Sequence, residues 1–391
     1  MQQPSRSRRN FLKDSALLAG AGLGAPWLAQ AVAAPAAGLA PVMINANEHP
    51  LGPSPAALRA MTEIGPSGGR YLRELQVEFL RTLAGQLGVP MDHLMAYAGS
   101  TEPLDYAMLA FTSPGAALVT ADPTFESGWR AAARNGATVI KVPLRKDHAH
   151  DVRAMCAVDA KAGVIYICNP NNPTGSVTAR KDLDYALAHK PKGSVLVVDE
   201  AYLHFADSAA SMVDRVAAGE EVIVLRTFSK LYGMAGIRLG YAVARPDLLD
   251  RLKFYSVNSL PVTAVAAGLA SLRDPALVPQ RRALNRALRQ DVVAWLGAQG
   301  HACTASESNC FMVDVKRPAK EFMDAMASYG VFVGRSWPVW PTCSRITIGT
   351  AAEMARFKEA FAQVAAGKRG PLPVAPAVAL RDPLQAFFRD A

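Results

Sequence analysis

The chain has 391 residues, is 50% hydrophobic and 19% charged, and carries a formal net charge of +9. This balance excludes disordered, collagenous and small disulfide-scaffold proteins and supplies ample apolar residues for a core. Its basic residues form no long Lys/Arg block, so the excess charge does not read as a nucleic-acid surface, and no apolar run in residues 41–391 is long enough to cross a bilayer.

The N-terminus reads as an address. Residues 7–13 are Ser-Arg-Arg-Asn-Phe-Leu-Lys, an apolar Ala/Gly-rich stretch runs from Ala16 to Ala29, and A-x-A sites follow at Ala29–Ala31 and Ala31–Ala33. A charged start, apolar middle and small-residue end make a signal peptide over residues 1–33. The paired Arg8-Arg9 resembles a bacterial twin-arginine signal, which implies contact with that export machinery and a periplasmic location. Five cysteines, Cys156, Cys168, Cys303, Cys310 and Cys343, are an odd set without C-x-x-C or zinc-type spacing. They read as unpaired thiols or at most one disulfide, and no metal ligand set is expected.

Residues 34–70 read as an N-terminal arm, Pro/Ala-rich over 35–42 and with a short helix over 56–64. The periodic apolar residues Leu75, Val77, Phe79, Leu80, Leu83 and Leu87 predict a helix over 74–87. Seven strand-like runs follow, at 94–97, 117–120, 138–142, 163–168, 195–198, 222–225 and 239–243, most of them separated by helical segments. This alternation predicts a mainly parallel sheet covered on both faces, within a large domain over residues 71–280. A long helix from about Asp274 carries Arg281, Arg282, Arg286 and Arg289 on what reads as its polar side. Strands at 311–315, 331–333 and 346–348 place a smaller α+β domain over 281–366, and residues 367–391 read as a Pro-rich tail outside the fold.

Three segments carry the chemistry. Cys168-Asn169-Pro170-Asn171-Asn172-Pro173-Thr174-Gly175, Val198-Asp199-Glu200-Ala201-Tyr202 and Arg226-Thr227-Phe228-Ser229-Lys230 each end a predicted strand, with Arg238 downstream of the third. Open α/β sheets bind ligands at the carboxyl ends of their strands. Each segment alone has a plainer meaning: a turn, a helix cap, a solvated lysine. The three together, in this order, are hard to explain as turns.

Together they resemble the fold-type I pyridoxal-phosphate (PLP) enzymes of the class I/II aminotransferase family, over roughly residues 43–365. The closer similarity is to histidinol-phosphate aminotransferases. It is carried by Ile44-Asn45-Ala46-Asn47-Glu48-His49-Pro50, Arg70-Tyr71, Gly99-Ser100-Thr101-Glu102, Asp122-Pro123-Thr124-Phe125, Ser308-Asn309 and Ser344-Arg345-Ile346-Thr347-Ile348-Gly349-Thr350. Two features depart from that pattern: Gly334 stands where an arginine is usual and is followed by Arg335, and His49 replaces the second asparagine of Asn-Glu-Asn-Pro.

The resemblance implies a role for each matched residue. Lys230 is the amine that bonds PLP as a Schiff base and then moves the substrate's α-proton. Asp199 pairs with the pyridine nitrogen, Tyr202 and Asn172 bond the ring's phenolic oxygen, and Phe125 stacks on the ring. Ser100, Thr101, Thr227, Ser229 and Arg238 hold the phosphate, with the backbone at the helix start after Gly99. Tyr71 reaches the phosphate of a partner subunit, which implies a homodimer. Arg345 takes the substrate carboxylate, with Asn47, Asn309 and Arg335 nearby. The implied activity is transfer of an amino group from an amino acid (glutamate among the candidates) or amine to a keto acid or aldehyde. The cofactor residues alone also admit a PLP-dependent lyase, decarboxylase or cyclase and, more remotely, a non-catalytic binding protein for amino compounds.

Overall fold

The structure is a computed structural model that describes residues 40–256 and 259–372. The predicted export signal, its cleavage sites and residues 373–391 lie outside the described residues.

β1 (Val42–Ile44) leads into α1 (Pro55–Ile64) and α2 (Arg73–Leu87). Strands and helices then alternate: β2 (Leu94–Tyr97), α3 (Thr101–Phe111), β3 (Leu118–Asp122), α4 (Ser127–Arg134), β4 (Val139–Pro143) and α5 (Val152–Ala157). They continue through β5 (Val164–Cys168), α6 (Arg180–His189), β6 (Val195–Asp199), α7 (Val213–Ala217), β7 (Val222–Thr227) and β8 (Gly240–Val243). α8 (Pro246–Lys253), α9 (Val262–Leu272) and the long α10 (Leu277–Ala298) follow. The chain closes with β9 (Cys310–Asp314), α11 (Ala319–Ala327), β10 (Val331–Val333), β11 (Cys343–Thr347) and α12 (Ala351–Ala365).

The main sheet has seven strands in the order β2-β8-β7-β6-β5-β3-β4. β8 runs antiparallel to both its neighbours, and the remaining pairs are parallel. Its central strands are apolar on both faces, as a doubly covered sheet requires. Alternate residues divide between two cores: Ile165, Ile167, Leu196, Val198, Val222 and Val224 pack on one face, and Val164, Tyr166, Val195, Val197, Ile223 and Leu225 on the other.

A third core joins an early and a late segment of the described residues. β1 pairs in parallel with β10, β9 pairs with β11, and Val42, Ile44, Phe311, Val313, Val331 and Ile346 pack together with Phe357 and Phe361 of α12. The sequence reading places no strand at β1, because three residues are too few to show a period of two. Their pairing partner lies almost 300 residues away.

Helix α10 corrects the reading of its arginines. Arg281 and Arg289 are only 6% and 5% exposed. Arg281 Nη1 donates to the Leu231 carbonyl at 2.9 Å and Arg289 Nη1 to the Ser308 carbonyl at 2.7 Å, while Arg282 Nε donates to the His204 carbonyl at 2.8 Å. This polar face supplies donors to backbone carbonyls of other segments. Of the four, only Arg286 makes an exposed ion pair, with Asp207. Val77 of α2 also departs from expectation: it is exposed, while Phe79 and Leu83 are buried. At the other end, the start of the predicted tail is tied down, since Gly370 N and Leu372 N donate to the hydroxyl and carbonyl of Ser328 at 2.8 and 3.1 Å.

Candidate active site

Strand direction brings the three motifs to one edge of the sheet. Cys168, Asp199 and Thr227 are the last residues of the parallel strands β5, β6 and β7, so Asn172, Tyr202 and Lys230 all follow at the same end. Because β8 is antiparallel, its first residue, Gly240, lies at that end too, opposite both Thr227 and Tyr97. That pairing delivers Gly99 and Ser100 to the same place.

There the residues form a cup. Arg238 Nη1 donates to Ser229 Oγ at 3.2 Å and Nη2 to the Ala98 carbonyl at 3.1 Å, and Thr227 Oγ1 donates to Ser229 Oγ at 2.9 Å. Two glycines keep it open. A Cβ on Gly99, which sits at φ +97°, would collide with the Arg238 guanidinium, and one on Gly240 would lie 2.8 Å from Ser100 N. Ser100 caps α3 without spending its hydroxyl on the helix backbone. Hydroxyls, a guanidinium and a helix start with free N–H groups together make an anion site.

Beside the cup stand a lysine and a buried carboxylate. The Lys230 ammonium lies 5.7 Å from the centre of the Tyr202 ring. Burial, reinforced by the nearby Arg345 cation, pushes it from 10.5 down to about 8. Asp199 is 3% exposed and accepts from Tyr166 Oη and Ala201 N, both at 3.1 Å. Burial pushes its carboxyl up to about 6, against those two donors and Lys230. Among the described residues no Lys, Arg or His side chain pairs with it directly. Its neighbour Glu200, facing the other way, is a structural group: it pairs with Arg226 at 2.9 Å and accepts from Met212 N and Ser211 Oγ.

A second network joins the chain ends to the sheet. Asn47 Nδ2 donates to Tyr202 Oη at 2.9 Å and approaches Asn172 Oδ1 at 3.5 Å and Cys310 Sγ at 3.2 Å. Asn47 is held at φ 54° by Thr347, whose hydroxyl accepts from Asn47 N at 3.0 Å and donates to Asn47 Oδ1 at 2.9 Å. Arg345 Nη1 donates to Asn172 Oδ1 at 2.9 Å and Nη2 to the Asn45 carbonyl at 2.7 Å, leaving its buried Nε without a partner. Asn309 Nδ2 donates to the Asn47 carbonyl at 3.0 Å, and its buried Oδ1 is likewise unpartnered.

The structure therefore gathers Asn47, Asn172, Tyr202, Asn309 and Arg345 into one network, and Ser100, Thr227, Ser229 and Arg238 around the cup, where Thr101 opens α3. Phe125 is half-buried against the core on one sheet face. Tyr71 is 78% exposed and joins neither group. Arg335 stands at the rim, paired with Glu126. His49 belongs to a turn, its Nδ1 accepting from Leu51 N at 3.3 Å, and burial lowers its pKa to about 4. Sequence reasoning missed Tyr166, Thr347, Cys310 and Glu126 as individual site residues. A tyrosine inside a strand carries no mark beyond its apolar ring, and the other three acquire meaning only from long-range pairing. A cavity of about 360 Å³ lined by Glu48, His49, Gly233, Gly236 and Glu353 lies next to these groups, but none of the predicted site residues lines it. No group of His, Cys, Asp or Glu among the described residues could hold a metal ion.

Fold and site define an α/β enzyme with an anion cup, a buried carboxylate and a lysine at one end of its sheet. Residues 41–361 match the family described as aminotransferase class I and II, and the chain belongs to that family. It is 39% identical to a histidinol-phosphate aminotransferase of Symbiobacterium thermophilum over 82% of this chain and 89% of that protein. It is 35% identical to an aromatic amino acid aminotransferase of Cutibacterium acnes, over 83% of this chain and 93% of the relative. A solved structure of the Sinorhizobium meliloti histidinol-phosphate aminotransferase in complex with pyridoxal-5'-phosphate superimposes with a TM-score of 0.78, at 26% identity, over 84% of this chain and 91% of that one. The chain is thus an aminotransferase, moving an amino group between a small-molecule donor and a keto acceptor.

A lysine at about 8 sheds its proton near that pH, so its neutral, nucleophilic fraction near pH 7 exceeds that of an ordinary lysine by roughly two orders of magnitude. The rate at which cofactor-free protein takes up PLP is expected to rise through a midpoint near 8. In Arg345→Gln, with one neighbouring cation gone, that midpoint moves to higher pH. Stopped-flow absorbance across pH checks both.

Proposed function

We propose that this aminotransferase works on amino acids bearing a free α-carboxylate, using pyridoxal 5'-phosphate held at Lys230. The supporting observation is the convergence of Lys230, Asp199, the Arg238 cup and Arg345 at one edge of the sheet. The residues suit the cofactor: two glycines leave room beside the anion cup, and Asp199 is a buried carboxylate with no cationic side chain of its own. When bound, PLP supplies an aldehyde that accepts an amine and an electron-poor ring that stabilises charge at the substrate's α-carbon.

The chain's own residues do the rest. Ser100, Thr101, Thr227, Ser229 and Arg238 would anchor the phosphate, and Phe125 would cover the ring. Asp199, steadied by Tyr166, would keep a proton on the ring nitrogen. Tyr202 and Asn172 would hold the ring's oxygen, and Asn47 fixes the tyrosine. Arg345 takes the carboxylate as a fork, with Asn309 beside it, so the α-C–H bond faces Lys230. The lysine amine, poised near 8, would accept the α-proton.

The enzyme is a homodimer in which Tyr71, 78% exposed, reaches the partner's phosphate site. Residues 7–13 send the folded, cofactor-loaded protein through the twin-arginine route to the periplasm.

Lys230→Ala is expected to fold normally and to lose turnover to below about one ten-thousandth of wild type, read as keto-acid formation from a panel of amino acids. Retained turnover contradicts the assignment. Cell fractionation and sedimentation check assembly and place: a periplasmic particle of twice the subunit mass is expected, and a cytoplasmic monomer contradicts both.

A further inference from the structure

Beside the Arg345–Asn172 contact, two arginines share one indole. The guanidinium carbon of Arg335 lies 4.4 Å from the centre of the Trp337 ring, and that of Arg345 lies 5.6 Å from it. Trp337 is buried, and its Nε1, like Arg345 Nε, has no acceptor. Arg335 is not free: its Nη2 donates to Glu126 Oε2 at 2.8 Å. Arg345 feels both, the Arg335 cation and the Glu126 anion. Glu126 directly follows Phe125 and caps α4, whereas Arg335 follows β10, so the pair bridges the main sheet and the third core. A second cation cannot come from position 334, where a side chain would press on the Arg345 carbonyl at 2.8 Å.

The charges settle what the pocket can read. Arg345, Arg335 and Glu126 sum to one positive charge. A ligand with a single carboxylate complements that sum, while a second anion must compete with Glu126 for Arg335. We propose that Glu126 is a specificity-determining residue that masks Arg335, so the enzyme selects amino acids with uncharged side chains over dicarboxylic or phosphorylated ones. The pair is partly exposed, 46% and 30%, so it contributes little to stability. Its effect falls instead on discrimination, by setting a like charge against the unwanted ligand.

The inference rests on Arg345 as the carboxylate arginine, and the test separates the two. Binding of glutarate and of valerate to the full PLP-loaded protein is measured by calorimetry, with no turnover required. Loss of valerate binding in Arg345→Gln reads the carboxylate site alone. Glu126→Gln is expected to tighten glutarate by about tenfold, equivalent to about 1.4 kcal/mol, and to leave valerate unchanged. Adding Arg335→Gln to that variant returns glutarate to its starting affinity, and Glu126→Asp keeps the wild-type preference. Equal shifts for both ligands, no shift, a gain that survives loss of Arg335, or no binding of either ligand to wild type overturns the proposal.

Discussion

The arrangement turns on a buried cation that has no carboxylate of its own. Arg345 is held by two neutral oxygens, the Asn172 side chain and the Asn45 carbonyl, and burial lowers its pKa. A guanidinium keeps its proton even so, and its charge is costly to bury uncompensated. Natural proteins keep such a group where a ligand supplies the missing anion. Much of the architecture serves to hold it still. The β9–β11 register sets its strand, and β1–β10 pairing brings Asn45 and Asn47 alongside. Asn172 then links it to the end of β5. A site assembled from segments some 300 residues apart is complete only when those segments have paired, and that couples stability to function.

The main sheet contributes by direction rather than by any one contact. Parallel strands put their carboxyl ends on one edge, and the antiparallel β8 brings the start of a different strand to the same edge. Alternation across the pleat then separates tasks. Asp199 faces the site and stays without a cation, while Glu200, one residue on, is neutralised by Arg226 in a structural pair. Two adjacent acidic residues thus meet opposite electrostatic surroundings, one made for a ligand and one for the fold.

Much of this is legible in the sequence where the signal is local. All seven strands of the main sheet are visible as short apolar runs, and their boundaries move by only a residue or two. The three motifs locate the chemistry because each follows a strand. What sequence reading loses is whatever depends on distant pairing or on what a polar face touches. β1 is three residues long and gains its identity from β10. Arg281 and Arg289 look like a solvated stripe, yet they donate to backbone carbonyls of other segments. Glu126 has no motif, and only its ion pair with Arg335 gives it meaning. Tyr71 matches a motif yet is exposed and joins none of the site groups.

The proposed role of Arg345 is that of a preorganised cation awaiting a carboxylate. Its most direct test is the thermal midpoint of the PLP-loaded protein with and without a saturating monocarboxylate such as 3-phenylpropionate. Wild type is expected to gain about 2–3 kcal/mol at a hundred times the dissociation constant, while Arg345→Gln gains nothing at that concentration. An equal gain in both proteins would contradict it, because the carboxylate would then be held by some other group.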